Sequence, residues 1–181
     1  PLKHSVWKRL GCESEEEIQA VNQLVRMDGE WSVSNSDGRG FIMACRHIGV
    51  EPGGSILRIR GGGSTARSIA YSWSKEGGQI IPVRGRRALA GGPWDVSIVD
   101  DSLKADLSID LDVEAGGGGS FPLLAGRQVS ISYDEDWKID DFAVIMVAAQ
   151  HLEAWKKFFS PNKIEKLPSL IELLKLLEER H

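Results

Sequence analysis

Cysteine is scarce in this chain. Cys12 and Cys45 are the only two among 181 residues, so no disulfide framework holds the fold, and free thiols in a reducing compartment are expected. Long hydrophobic runs are lacking too. The longest strongly apolar stretch, Phe142 to Ala149, is too short to cross a bilayer as a helix. Metal-ligand spacing is missing: the four histidines His4, His47, His151 and His181 make no His-x-x-x-His, and no Cys-x-x-Cys exists. Cys45 and His47, two apart on an expected strand, would make half a zinc site without its other half, so no metal is expected. Neither a nucleotide-binding Gly-Lys-Ser/Thr nor the aromatic spacing of an RNA-binding sheet is present. No signal peptide is visible in a chain that starts at Pro1, which reads as an excised fragment of an intracellular, cytoplasmic protein.

Glycine, by contrast, is plentiful, with 20 residues. The run Gly116-Gly117-Gly118-Gly119-Ser120 has the composition of a synthetic flexible linker in place of a loop. Gly61-Gly62-Gly63-Ser64 has two readings: the same device, or a natural turn whose amides cradle a phosphate.

The periodicity predicts an N-terminal helix running to Gly29, capped by Ser14 and Glu17 and carrying Ile18, Val21, Leu24 and Val25 on one face. From Trp31 the period shortens to two. Strands are expected at 31–34, 41–47, 55–60, 66–73, 79–83, 94–99, 105–113 and 127–133, separated by turn signals such as Asp37-Gly38 and Gly77-Gly78. A helix from Ile139 to Phe159, apolar nearly all round in its first half, is expected to be buried. Pro168 opens a last helix carrying Leu170, Leu173, Leu174 and Leu177. The predicted fold class is therefore α+β: an antiparallel β-sandwich or curled, barrel-like sheet of about eight short strands, with one N-terminal and two C-terminal helices. Residues 1–160 would form one domain and 161–181 an appended amphipathic helix. The segment from Val129 to Leu152, a strand followed by a hydrophobic helix, resembles the tubby-like and LURP-one-related architecture, and the same pattern is similar to a pleckstrin-homology layout. Both resemblances imply a helix plugging a sheet and say little about function.

Charge is polarised along the chain. Nine basic residues, eight of them arginine, lie between Arg39 and Arg87 against two acids; twelve acids lie between Ala88 and Asp141 against three bases. Arg58 and Arg60 share one strand face, and Arg84, Arg86 and Arg87 follow a strand in a glycine-broken loop, so these five are the candidate anion-binding residues. Asp106, Asp110, Asp112 and Glu114 alternate with Leu107, Ile109, Leu111 and Val113, giving an apolar face and a carboxylate face. That carboxylate face is expected to neighbour the arginine strand. Trp7, Trp137, Leu173 and Leu177 are the candidate protein-interface anchors. No nucleophile–histidine or paired-carboxylate signature supports catalysis. The sequence thus points to a non-enzymatic protein–protein assembly module without a cofactor, whose partner is another protein or a second copy. The alternative is a module binding phosphoinositide or nucleic acid through its arginines.

Overall fold

The computed structural model describes residues 2–10, 18–112, 122–132, 136–159 and 161–180. In chain order they form α1 (Leu2–Leu10), β1 (Gln23–Met27), β2 (Glu30–Ser34), α2 (Asp37–His47), β3 (Ile56–Arg60), α3 (Ser64–Lys75), β4 (Gln79–Val83), β5 (Leu107–Asp110), β6 (Arg127–Val129), α4 (Phe142–Phe158) and α5 (Leu170–Glu178). β1 and β2 make a two-stranded antiparallel ribbon. The main sheet has the order β4-β3-β5-β6, and every neighbouring pair in it is parallel.

This corrects the expected antiparallel sandwich or barrel. Two segments read as strands, 41–47 and 66–73, belong to α2 and α3. Ala66, Ile69, Ala70 and Trp73 are all buried and recur at i, i+3, i+4 and i+7, which is the helical period. With α3 crossing between them, β3 and β4 run in the same direction. Residues 94–99 are likewise no strand: Pro93–Ser97 is a 3-10 helix, and Ile98 makes a single parallel bridge to Ile80. The expected N-terminal helix is not formed in its described part, where Ile18 and Gln19 make a turn and Gln23–Met27 is β1; its Ser14–Glu17 cap lies outside the described residues, as does Gly116–Ser120.

The core lies where the sheet meets α2, α3 and α4. Leu57, Ile59, Ile80, Leu107 and Ile109 are fully or almost fully buried, and Phe41 joins Trp73 and Phe142 in ring contacts at 6.0 and 5.7 Å. α4 packs on α2 instead of threading a barrel. Gly40 permits this approach, because a Cβ there would come within 2.5 Å of Gln150 Cγ and 2.9 Å of its Cα. α4 is not enclosed on all sides, since Val144 and Val147 face a groove. The carboxylate strand does neighbour the arginine strand: Arg60 pairs in register with Asp110, and their side chains form an ion pair at 2.6 Å. No described helix is long and apolar enough to cross a membrane.

Candidate active site

The residues at the N-terminus of α2 are held by the side chains of Asn22, Asn35 and Ser68. Asn35 opens the turn: its Oδ1 accepts from the Asp37 amide at 2.9 Å and from Ser68 Oγ of α3 at 2.8 Å. Ser68 Oγ accepts in turn from the Gly38 amide at 2.8 Å. Asn22, just before β1, accepts from the Ser36 amide at 3.0 Å and donates through Nδ2 to Asp37 Oδ1 at 2.6 Å. These bonds fix the backbone around Asp37, and the bond from Asn22 Nδ2 holds its carboxylate directly.

That carboxylate is almost buried, its side chain 5% exposed, and a lysine is paired with it. Lys3 of α1 donates from Nζ to Asp37 Oδ2 at 2.6 Å, while its own side chain is 38% exposed. The same Oδ2 accepts from Thr65 Oγ1 at 3.0 Å, and Lys3 Nζ lies 3.5 Å from Thr65 Oγ1. A half-exposed lysine held by a buried carboxylate can give a proton as the ammonium and take one as the free amine. α1 is anchored for this task by the Val21 amide, which donates to Lys3 O at 3.0 Å.

Thr65 stands in the first turn of α3, directly after the glycine turn that leaves β3. Gly61 has φ +110°, a left-handed conformation open to glycine, and a Cβ on Gly62 would sit 1.9 Å from Ala88 O. Gly63, the N-cap of α3, brings no side-chain cap to the helix, and a Cβ there would meet nothing within 4 Å. The turn thus lies at the carboxyl end of a parallel strand, where the helix N-terminus faces open space. A pocket of about 480 Å³ occupies that space, lined by Gly63, Ser64, Thr65, Ala66, Arg86, Arg87, Leu111 and Asp112. Burial first, and the charge of Arg87 second, push the Arg67 guanidinium below its ordinary value, which places two cations close together on this side. Asp112 accepts from the Arg86 amide and thereby ties the arginine loop to the end of β5.

Backbone amides at a helix N-terminus with two exposed guanidinium groups beside them form a donor set suited to phosphates. The residues present therefore fit a dinucleotide, whose phosphates the turn amides, Arg86 and Arg87 would hold. Among the described residues, no cluster of His, Cys, Asp and Glu could hold a metal ion.

The five arginines selected from the sequence separate in space. Arg86 and Arg87 line the pocket; Arg84 is exposed and outside its lining. Arg58 donates to the carbonyls of Asp101 and Leu103, and Arg60 is engaged with Asp110. Of the apolar anchors, Trp137, Leu173 and Leu177 meet with Val147, His151 and Trp155 on one groove of about 410 Å³. Trp7 lies apart on α1, stacked on His4. Cys45 and His47 do not share a side, because their segment is a helix, and residues two apart on a helix diverge. Lys3, Asn22, Asp37 and Thr65 were not selected from the sequence. Asp37 read as part of an Asp-Gly turn, and only the fold brings Lys3 to it.

No protein-family model matches the chain. Among curated proteins, the shikimate dehydrogenase (NADP(+)) of Rubrobacter xylanophilus is 32% identical over 108 residues, which cover 53% of this chain and 38% of that protein. The shikimate dehydrogenase (NADP(+)) of Xanthomonas euvesicatoria pv. vesicatoria is 30% identical over 145 residues, covering 71% of this chain and 51% of that protein. These matches span about half or less of the relatives' own length. Among solved structures, shikimate 5-dehydrogenase from Thermus thermophilus in complex with NADP(H) and shikimate superposes with a TM-score of 0.73 at 20% identity, over 97% of this chain and 74% of that one. The 5-ketofructose reductase of Gluconobacter sp. strain CHM43 superposes with a TM-score of 0.65 at 17% identity, over 100% of this chain and 76% of that one. All four are enzymes by name. That overturns the expected non-enzymatic assembly module and its phosphoinositide or nucleic-acid alternative. The chain has a shikimate dehydrogenase-like Rossmann-type α/β fold, and the relatives it matches are oxidoreductases, not interaction modules.

Proposed function

We propose that this chain carries the dinucleotide pocket and the proton-handling pair of an NADP(H)-dependent oxidoreductase acting on a secondary hydroxyl of a small polar substrate of the shikimate type. The observation that carries the proposal is the adjacency of two features. The Lys3–Asp37 pair touches Thr65 in the first turn of the helix that opens at the glycine turn, so a proton-transfer group stands beside a phosphate cradle. When bound, the dinucleotide supplies an acceptor or donor of hydride. Lys3 then exchanges the proton that the substrate oxygen loses on oxidation or gains on reduction, and Asp37 holds the ammonium in place without entering the cleft. Asn22 donates to Asp37 Oδ1 and Thr65 to Oδ2, so the carboxylate is held facing Lys3. Arg86 and Arg87 supply the charge that selects a phosphorylated ribose.

The test is oxidation of shikimate with NADP+, followed by absorbance of the reduced nicotinamide, in the parent chain and in Lys3→Met and Asp37→Asn. Both substitutions are expected to lower kcat by a factor of about 100 or more, within the range for loss of a general acid–base group, with NADP+ affinity unchanged. Activity that survives Lys3→Met intact removes the proposal.

A further inference from the structure

The lysine–carboxylate pair and the dinucleotide pocket are separate features of the chain, yet one side chain belongs to both. Thr65 lines the pocket through its place in the first turn of α3, and its hydroxyl reaches Asp37 Oδ2 at 3.0 Å, with Lys3 Nζ 3.5 Å away. A hydroxyl has one proton to give and lone pairs to accept with, so it can donate to Asp37 while facing the Lys3 ammonium. The donation to Asp37 is a well-formed hydrogen bond, whereas 3.5 Å from Lys3 is at the limit of one. The hydroxyl therefore acts chiefly on the carboxylate.

Its surroundings leave that hydroxyl little choice of position. Ser68, one turn further along α3, clamps Asn35 and the Gly38 amide, so α3 and the N-terminus of α2 are fastened at two successive points on one helix face. Gly38 lies so close to α3 that a Cβ there would come within 2.1 Å of Ser68 O. The two helices cannot slide past each other without breaking these bonds. A shift of the first turn of α3 thus reaches Asp37 directly.

We infer that Thr65 is a positioning residue for the Lys3–Asp37 pair, and that its hydroxyl ties the geometry of the pair to the helix whose N-terminus forms the dinucleotide pocket. This inference rests on the functional reading above, in which Lys3 handles the substrate proton. Thr65 acts chiefly through Asp37, with Lys3 Nζ at the limit of hydrogen-bond distance. Its γ-methyl makes no contribution to this role, so serine substitutes for threonine and valine does not.

The test compares Thr65→Val, which keeps the shape and removes the hydroxyl, with Thr65→Ser, which keeps the hydroxyl; Thr65→Ala stands in should the valine variant fail to fold. The first readout is the side-chain ammonium resonance of Lys3 in 15N-labelled full chain, assigned by its loss in Lys3→Met. It is expected to move in Thr65→Val and to hold its wild-type position in Thr65→Ser. The second is turnover of shikimate with NADP+. kcat is expected to fall about ten-fold in Thr65→Val, as loss of one hydrogen bond to a charged group entails, and to be restored in Thr65→Ser. An unmoved Lys3 resonance in Thr65→Val overturns the inference. So does a loss confined to NADP+ affinity, which would make Thr65 a pocket wall only. A parent chain that binds no NADP+ sinks the functional reading instead, and the Lys3 resonance still decides whether Thr65 holds the pair.

Discussion

Replacing Gly38 by alanine adds a single carbon where α2 crosses α3. An ideal Cβ at this position lies 2.1 Å from Ser68 O, 2.3 Å from Ser72 Oγ and 2.7 Å from Ser68 C. Ser72 can rotate away, but the Ser68 carbonyl is main chain inside α3 and cannot. Since unstrained contacts need about 3.5 Å, the helices must part by on the order of 1 Å. Overpacking of this kind costs about 1–3 kcal/mol, and a rigid backbone obstacle puts it at the upper end. Parting also stretches the buried hydrogen bond from the Gly38 amide to Ser68 Oγ, worth about 1 kcal/mol, while alanine returns up to about 1 kcal/mol of helix propensity. A net loss of about 3 kcal/mol is expected, measured by urea denaturation with an unchanged m-value. Gly49→Ala is the control: its φ is +78° with no atom near, so it reports backbone strain alone, about 1 kcal/mol. A Gly38→Ala protein that loses less than about 1 kcal/mol, or no more than the control, refutes the close crossing that puts Asp37 beside Thr65.

Ile145 is 2% exposed on the face of α4 that enters the core, and Ile145→Ala is expected to lower stability by about 2–5 kcal/mol in the same assay. A loss below about 1 kcal/mol would place α4 at the periphery. Burial pushes the Cys45 thiol well above its ordinary range, so in a Cys12→Ser background Cys45 should react with a thiol reagent only at the rate of unfolding. Rapid modification of the folded protein would contradict the packing of α2.

The central strands were legible because their composition and their environment agree. Ile56–Arg60 and Gln79–Val83 carry β-branched residues bounded by glycines, and both are strands of the main sheet. α4 was legible for the same reason, as an apolar run too long for a strand. α2 and α3 were not, because their local chemistry opposes their structure. α2 contains Gly38 and Gly40, poor helix formers retained where α3 and α4 approach, so its start read as a turn. α3 contains Ser64, Ser68, Ser72 and Ser74, and Ser68 spends its hydroxyl on Asn35 and Gly38. With both helices read as strands, the alternation of strand and helix that signals a parallel sheet disappeared, and the glycine turn lost the helix that gives it meaning. The adjacency of Arg60 and Asp110 survived, since opposite charge at period two requires only neighbouring strands. The Lys3–Asp37 pair spans 34 residues and two structural elements, and no local pattern marks it.

In the proposed function, the glycine turn and the loop after β4 hold a dinucleotide bearing a ribose phosphate. Isothermal titration of the chain with NADP+ and with NAD+, beside Arg86→Ala/Arg87→Ala, tests it most directly. NADP+ is expected to bind, the double substitution to weaken it at least about ten-fold through loss of charge-assisted bonds, and NAD+ affinity to change little. Binding of neither dinucleotide, or equal loss of both in the variant, would contradict it.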